Sequence, residues 1–290
     1  MIGSHILDTG SPRDSDQNSD PDFARQTDAV DFTVRVYGVK IRIRANRPDL
    51  FDRLWQHLPH GSKVIQSAMI DRTYSNICKP ESGNRSRRSS ILFGDDARLL
   101  KSSKVDEVFD RFESDLRLFV AELAHHRVFV HAGVVAWKGE AIVIPGRSFS
   151  GKSTLVAELL QAGATYYSDE YAVFDKRGRV HPFLKDLEMR QTNDWKQTRH
   201  TAESFGSSIG HKPVPVKKIL ITRYQNGAAW RPRRLSQGKA VLALLANTVS
   251  ARRHPAKALS TLQRVVADAE ILQGPRGEAR RLIPLILEGI

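Results

Sequence analysis

Residues 141–158 read Ala-Ile-Val-Ile-Pro-Gly-Arg-Ser-Phe-Ser-Gly-Lys-Ser-Thr-Leu-Val-Ala-Glu, and this stretch constrains the fold more than any other part of the chain. Ala141 to Ile144 is a short apolar run closed by Pro145-Gly146, the pattern of a buried strand entering a turn. Ser153 to Gln161 is built from good helix formers and stops at Ala162-Gly163. Between them Gly146, Arg147, Ser148, Phe149, Ser150, Gly151, Lys152 and Ser153 meet every fixed position of G-x-x-x-x-G-K-[ST]. Strand, glycine loop and helix in that order make a cradle for phosphate. Gly146 and Gly151 permit backbone conformations that a side chain would obstruct, so successive N–H groups turn toward anionic oxygens. Lys152 then reaches the β- and γ-phosphates as a point charge, and the Ser153 hydroxyl can ligate Mg²⁺. The helix N-terminus, with Thr154 beside Ser153, points its positive end at the same place. The expected ligand is ATP with Mg²⁺, although such a loop reads phosphates and does not separate ATP from GTP.

Composition narrows the class. The chain has 290 residues, 40% hydrophobic and 27% charged, enough for one large or two small domains with a sizeable core. Its net charge is +13, and residues 1–30 hold six Asp and two Arg, so this tail carries −4 and the body +17. A basic body is either a well-solvated surface that also attracts nucleotides, or one that draws an acidic protein, peptide or nucleic acid. The single cysteine, Cys78, excludes an internal disulfide and a multi-cysteine zinc site. No apolar run approaches the roughly eighteen residues of a membrane span, and no signal-peptide core is seen, so the expected location is the cytoplasm.

Along the chain, residues 1–30 are rich in Ser, Asp, Asn and Gln and read as a disordered leader. From Phe32, alternation of Val34, Val36, Val39, Ile41 and Ile43 with basic residues about Gly38 predicts a hairpin with one apolar and one basic face. A short helix follows over 50–58, then strands at 64–77 and 89–93 separated by an exposed loop, Lys79 to Arg88. Val105, Val108, Phe109, Phe112, Leu116, Phe119, Val120 and Leu123 recur at helical spacing and predict a helix over 105–125. Short strands flank His131. Thr165 to Tyr167 reads as a strand delivering Ser168-Asp169-Glu170 and continuing through Tyr171 to Phe174. Residues 191–213 are polar, 216–224 a strand, and 237–249, 255–267 and 277–288 helices. A small α+β module over 31–125, a candidate for substrate recognition, would then precede a nucleotide domain over 126–290.

A phosphate loop requires an acidic partner. The apolar strand Lys218 to Tyr224 ends in Arg223 and Tyr224 with no carboxylate. Asp169 and Glu170 instead lie one helix and one strand beyond Lys152, a spacing that returns a parallel strand and brings both acids out near Ser153. Two adjacent acids can divide the work, one accepting a hydroxyl proton and the other helping Ser153 hold Mg²⁺.

With His131-Ala-Gly-Val-Val before the loop strand, the loop itself, Gln161-Ala-Gly-Ala after its helix and then Ser168-Asp169-Glu170, residues 126–190 resemble the HPr kinase/phosphorylase family of the phosphoenolpyruvate-carboxykinase-like P-loop superfamily. The family usually has two aspartates where this chain has Asp169-Glu170, and the N-terminal 125 residues do not look like its regulatory domain. The chain is most similar to divergent members, some of which phosphorylate serine on lasso-peptide precursors. The resemblance implies an α/β P-loop kinase domain, with Asp169 as catalytic base, Lys152 on the phosphates and His131 near the γ-phosphate. Arg190 is a weak match to a phosphate-facing arginine of the family. It also implies transfer to a hydroxyl, with serine expected, on an acidic or carboxylate-bearing protein or peptide. Principal members of the family form hexamers, which leaves room for a homo-oligomer here. His131 has a second reading, a core or strand-end histidine. Two other functions fit the same residues: a small-molecule kinase, and a nucleotide-gated binding protein without transfer. The basic clusters at 85–88, 231–234 and 252–254 are not interleaved with aromatics, so a nucleic-acid partner is not favoured.

Overall fold

A computed structural model of the chain describes residues 30–81, 84–146, 150–190 and 197–288. The predicted leader lies outside these residues, except that Val30 already belongs to the first strand. The described fold is mixed α/β, with six α-helices and two large mixed sheets.

The first sheet grows from the predicted hairpin. Strands β1 (Val30–Val36) and β2 (Val39–Ala45) pair antiparallel with Val34 opposite Ile41 and Val36 opposite Val39. Tyr37 and Gly38 both have positive φ, the two-residue turn whose twist matches its strands. A short helix α1 (Phe51–Gln56) leads to β3 (Lys63–Ile65), β4 (Arg72–Glu81), β5 (Asn84–Gly94) and β6 (Ala97–Ser102), in sheet order β3-β1-β2-β4-β5-β6. The loop expected over 79–88 is overturned, because β4 runs to Glu81 and β5 starts at Asn84. Cross-strand pairing overrides the polar, loop-like composition of that stretch. The strand expected over 64–77 is split into β3 and β4, and β6 is additional to the sequence reading. Helix α2 (Val105–Leu123) lays its apolar stripe on this sheet, burying Phe109, Phe112, Leu116 and Val120 against Val34, Ile41 and Ile43.

The second sheet contains the loop strand. Strands β7 (Val128–Trp137) and β8 (Glu140–Pro145) form an antiparallel pair, so the two short strands expected around His131 are one. After the loop come α3 (Lys152–Gln161), β9 (Thr165–Ser168), β10 (Tyr171–Phe174), β11 (Val180–His181) and the separate hairpin β12 (Leu187–Arg190) with β13 (Gln197–His200). Hairpin strand β13 and a 3-10 turn at Ala202–Phe205 lie in the stretch read only as polar. The chain closes with β14 (Val216–Tyr224), β15 (Arg233–Arg234), α4 (Gln237–Leu245), α5 (Pro255–Ala267), β16 (Glu270–Arg276) and α6 (Ala279–Leu287). The fourth helix thus stops short of the expected 249, the last begins at Ala279 after its N-cap Glu278 and not at 277, and β16 is additional to the sequence reading.

Strand order is β11-β10-β7-β8-β14-β16-β15, with β9 on β7 beside β10. Strands β8, β14 and β16 are parallel neighbours, so Pro145, Tyr224 and Arg276 end at one edge. Leu155, Leu159, Leu282 and Ile286 of α3 and α6 cover Ile142, Ile144 and Leu220 on one face. On the other face, Val241, Leu244, Leu262 and Val265 of α4 and α5 cover Val143, Ile219 and Ile271. The two sheets share a core, since Phe129, Tyr171 and Phe183 pack into the cluster under α2. No described helix is long and apolar enough to cross a membrane.

Candidate functional site

The loop motif sits at the carboxyl edge of the parallel strands, where open α/β sheets place ligands. Gly151 has φ +82 and caps α3, a left-handed conformation that suits a residue without Cβ. Lys152 and Ser153 form the first turn of α3 and are half-buried, while Thr154 is exposed. Arg147, Ser148 and Phe149, the middle of the loop, lie outside the described residues.

Asp169 arrives beside this turn, by a route one strand longer than expected. Strand β9 runs in the same direction as β8, but β7 lies between them and pairs antiparallel with both. Pairing with β7 breaks between Val134–Ser168 and His131–Tyr171, and the break is Asp169-Glu170. The Ser153 hydroxyl donates to Asp169 Oδ2 at 2.5 Å. Opposite, Gly133 leaves room for the approach: a Cβ there would lie 2.6 Å from Val156 Cγ2 and 3.5 Å from Asp169 Oδ1. Burial raises the Asp169 pKa to about 6, despite the Ser153 bond and the charges of Lys152 and Lys185. Burial also lowers the Lys152 pKa, opposed by Asp169.

Glu170 is directed elsewhere. Its Oε2 lies 3.6 Å from Arg117 Nη1 of α2 and 4.0 Å from Lys185 Nζ. Arg117 is buried, donating from Nε to Glu113 Oε1 at 2.9 Å and from Nη2 to the Leu184 carbonyl at 3.2 Å. Lys185 pairs with Glu188 at 3.1 Å, and its carbonyl accepts from the Tyr166 hydroxyl at 2.6 Å. Beside this network lies a cleft of about 280 Å³ lined by Asp110, Glu113, Ser114, Lys185, Glu188 and Arg199. The structure therefore brings together Lys152, Ser153 and Asp169 of the predicted set, and ties Glu170 to cations from α2 and the segment before β12.

His131 is reached by solvent while its imidazole is partly desolvated, which fits a place on the sheet surface better than one in the core. Its ring lies 4.6 Å from that of Tyr171, and burial of the imidazole and the Lys152 charge lower its pKa, with the Glu170 backbone acting oppositely. Of Arg190, the described structure gives the backbone in β12 only.

Arg276, at the end of β16, was not foreseen. It is buried, donating from Nη2 to the Gly151 carbonyl at 2.6 Å and from Nη1 to the Gly277 carbonyl at 3.0 Å. It thereby fixes the residue before Lys152 from the neighbouring strand ends. Arg117 and Lys185 were also missed. The one local signal was Glu113 and Arg117, an i,i+4 ion pair set among the apolar positions of α2.

Buried polar atoms ordinarily find hydrogen-bond partners. Here Ser150 Oγ, Asp169 Oδ1, Glu170 Oε2, Arg117 Nη1 and Arg276 Nε have none. They belong to the loop, the Asp169-Glu170 break and the two arginines that brace them. Ser153 and Asp169 offer two hard oxygens that suit Mg²⁺, an ion usually held by one or two protein groups plus phosphates and water. Among the described residues no group of three or more His, Cys, Asp or Glu forms a ready-made metal cage. No known protein family matches the chain, and no curated protein matches it.

Proposed function

We propose that the chain is a P-loop kinase of HPr-kinase-like type, transferring the γ-phosphate of ATP to a hydroxyl, with serine of a protein or peptide as the expected acceptor. The observation that carries this reading is Asp169 reaching Ser153 at the first turn of α3, with Oδ2 held and Oδ1 unpaired. A base that must take a hydroxyl proton needs an oxygen free to accept it. In the proposed step the acceptor oxygen attacks the γ-phosphorus in line, its proton passes to Asp169 Oδ1, and the bond to the β,γ-bridging oxygen breaks to release ADP. Lys152 and the α3 N-terminus stabilise charge on the phosphates. Mg²⁺, held by Ser153 and Asp169, would neutralise charge on the β- and γ-oxygens. Glu170 has a positioning role, holding the strand break against Arg117. The +17 body favours an acidic or carboxylate-bearing acceptor.

The test is incubation with γ-labelled ATP and Mg²⁺, alone and with peptides and metabolites encoded or made beside its gene, read by mass spectrometry. A phosphate-sized mass gain on a hydroxyl, lost in Asp169→Asn with nucleotide binding retained, is the expected result. Modification of a metabolite alone would move the assignment to a small-molecule kinase on this scaffold. Tight ATP binding without transfer to any acceptor would replace the kinase with a nucleotide-gated binding protein. Full nucleotide-dependent activity in Lys152→Ala would sink the phosphate-loop assignment itself.

A further inference from the structure

A pocket of about 470 Å³ opens where three elements converge away from the loop: the approach to β7, the turn between β10 and β11, and the first turns of α5. Its floor includes Val128 and Phe174, which pair across β7 and β10 and pack into the core beneath α4 and α5. Arg127, Lys176, Arg177 and Lys257 line it, against one carboxylate, Asp175.

That carboxylate is already committed. Asp175 Oδ1 accepts from the backbone N–H groups of Arg177 and Arg179 at 2.9 and 3.1 Å, and Oδ2 lies 3.0 Å from His181 Nε2. It closes its own turn with those contacts, and its single negative charge leaves the four cations in excess in the pocket. Lys257 Nζ donates to the carbonyls of Ala124 and His125 at 3.0 and 3.3 Å, which uses two of its three protons. Arg127 Nη1 donates to the His126 carbonyl at 2.9 Å, while its buried Nε has no partner. Burial lowers the Lys257 pKa, the mark of an ammonium held without an anion. Like charges gathered in a concavity focus a positive potential, which a multiply charged anion relieves. The volume suits a small molecule, and an apolar floor under a cationic rim suits one with a phosphate on a compact body.

We propose that this pocket binds a phosphate-bearing small molecule at a site separate from the glycine loop. The two sites use the same strand pair: Val128 and Phe174 lie three residues along β7 and β10 from the His131–Tyr171 contact. A concave pocket without an exposed aromatic platform favours such a ligand over a nucleic-acid strand.

The experiment is calorimetric titration of the full chain with inorganic pyrophosphate at physiological ionic strength, in a Lys152→Ala background that disables the loop. Saturable one-to-one binding is expected to persist there. It should weaken about tenfold or more when Arg127→Met, or Lys176→Gln with Arg177→Gln, is added, since each removes a charge-assisted contact. Lys176 and Arg177 are exposed, so the second pair should leave the melting temperature unchanged and remains informative if Arg127→Met fails to fold. Absence of binding in Lys152→Ala, or affinity unaffected by the added substitutions, overturns the proposal. Tighter binding of a single-stranded RNA oligonucleotide than of pyrophosphate, with a steep salt dependence, overturns it in favour of a polyanion track.

Discussion

Two buried carboxylates near the Asp169-Glu170 break, Asp169 on the loop side and Glu113 on α2, are shifted in opposite directions, while burial raises Glu170 as it does Asp169. On the loop side, burial outweighs the Ser153 hydroxyl and the charges of Lys152 and Lys185, and the Asp169 pKa rises to about 6. On the α2 side, burial also acts to raise the Glu113 pKa, but the bond from His57 and the charges of Arg117 and Lys185 outweigh it, and the value falls to about 2. One carboxylate is costly to ionise and the other costly to protonate. The first environment suits a group that must exchange a proton near neutrality, and the second suits a brace. Helix α2, packed on the N-terminal sheet, carries both Glu113 and the arginine that faces Glu170.

Asp169→Asn should break the comparison most sharply. Loss of a general base lowers turnover by about 10²–10⁴. The linked stability effect has a definite sign. A folded pKa of about 6 against an ordinary 3.8 means that the favourable contribution is present below about 3.8 and lost as pH rises through 6. The substitution should therefore raise stability at about pH 8, by up to about 3 kcal/mol, and change little near pH 4. Paired denaturant titrations at the two pH values check it, and destabilisation at pH 8 would contradict the burial account.

Arg117→Met tests the other side. It leaves Glu113 and Glu170 buried with weakened compensation, and breaking a buried ion pair in this way costs about 3–5 kcal/mol. Adding Glu170→Gln should recover part of the loss, with a coupling of roughly 1 kcal/mol or more. Strict additivity would show that the 3.6 Å approach carries no energy.

Much of this arrangement was legible in the sequence, for identifiable reasons. The β1–β2 hairpin, α2, β14 and α5 have clean apolar periods, and the β8–loop–α3 unit has a motif of fixed spacing. Asp169 was placed by counting one helix and one strand beyond Lys152. What failed was structure fixed from a distance. Strand β6 has a mostly exposed, weakly alternating pattern, and β16 contains Gly274-Pro275, residues that usually interrupt strands. Both exist because a neighbour pairs with them. Arg276 was invisible because its strand was, and Arg117 and Lys185 meet Glu170 only through tertiary packing. The side-chain direction of Glu170, unlike its position, is not encoded by spacing to Lys152.

Glu113→Gln probes the low-pKa side by titration. With a folded pKa of about 2 against an ordinary 4.5, its stabilisation is present above about 4.5 and lost as pH falls toward 2. The variant should be about 2–3 kcal/mol less stable near pH 7, and the gap to the wild-type chain should close near pH 2. A gap that stays constant with pH would assign the loss to packing.

His131→Ala should have the smallest effect on folding. A solvent-reached side chain that packs on the Tyr171 ring falls within about 0.5 kcal/mol on truncation. Partial desolvation of the ring and the Lys152 charge lower its pKa and so favour the neutral imidazole. A neutral ring beside Lys152 can orient or polarise without adding a second positive charge, so its removal should lower turnover while leaving the melting temperature in place. A large loss of stability with normal turnover would move His131 from the site to the scaffold, because a brace acts on folding and a group facing the phosphates acts on rate.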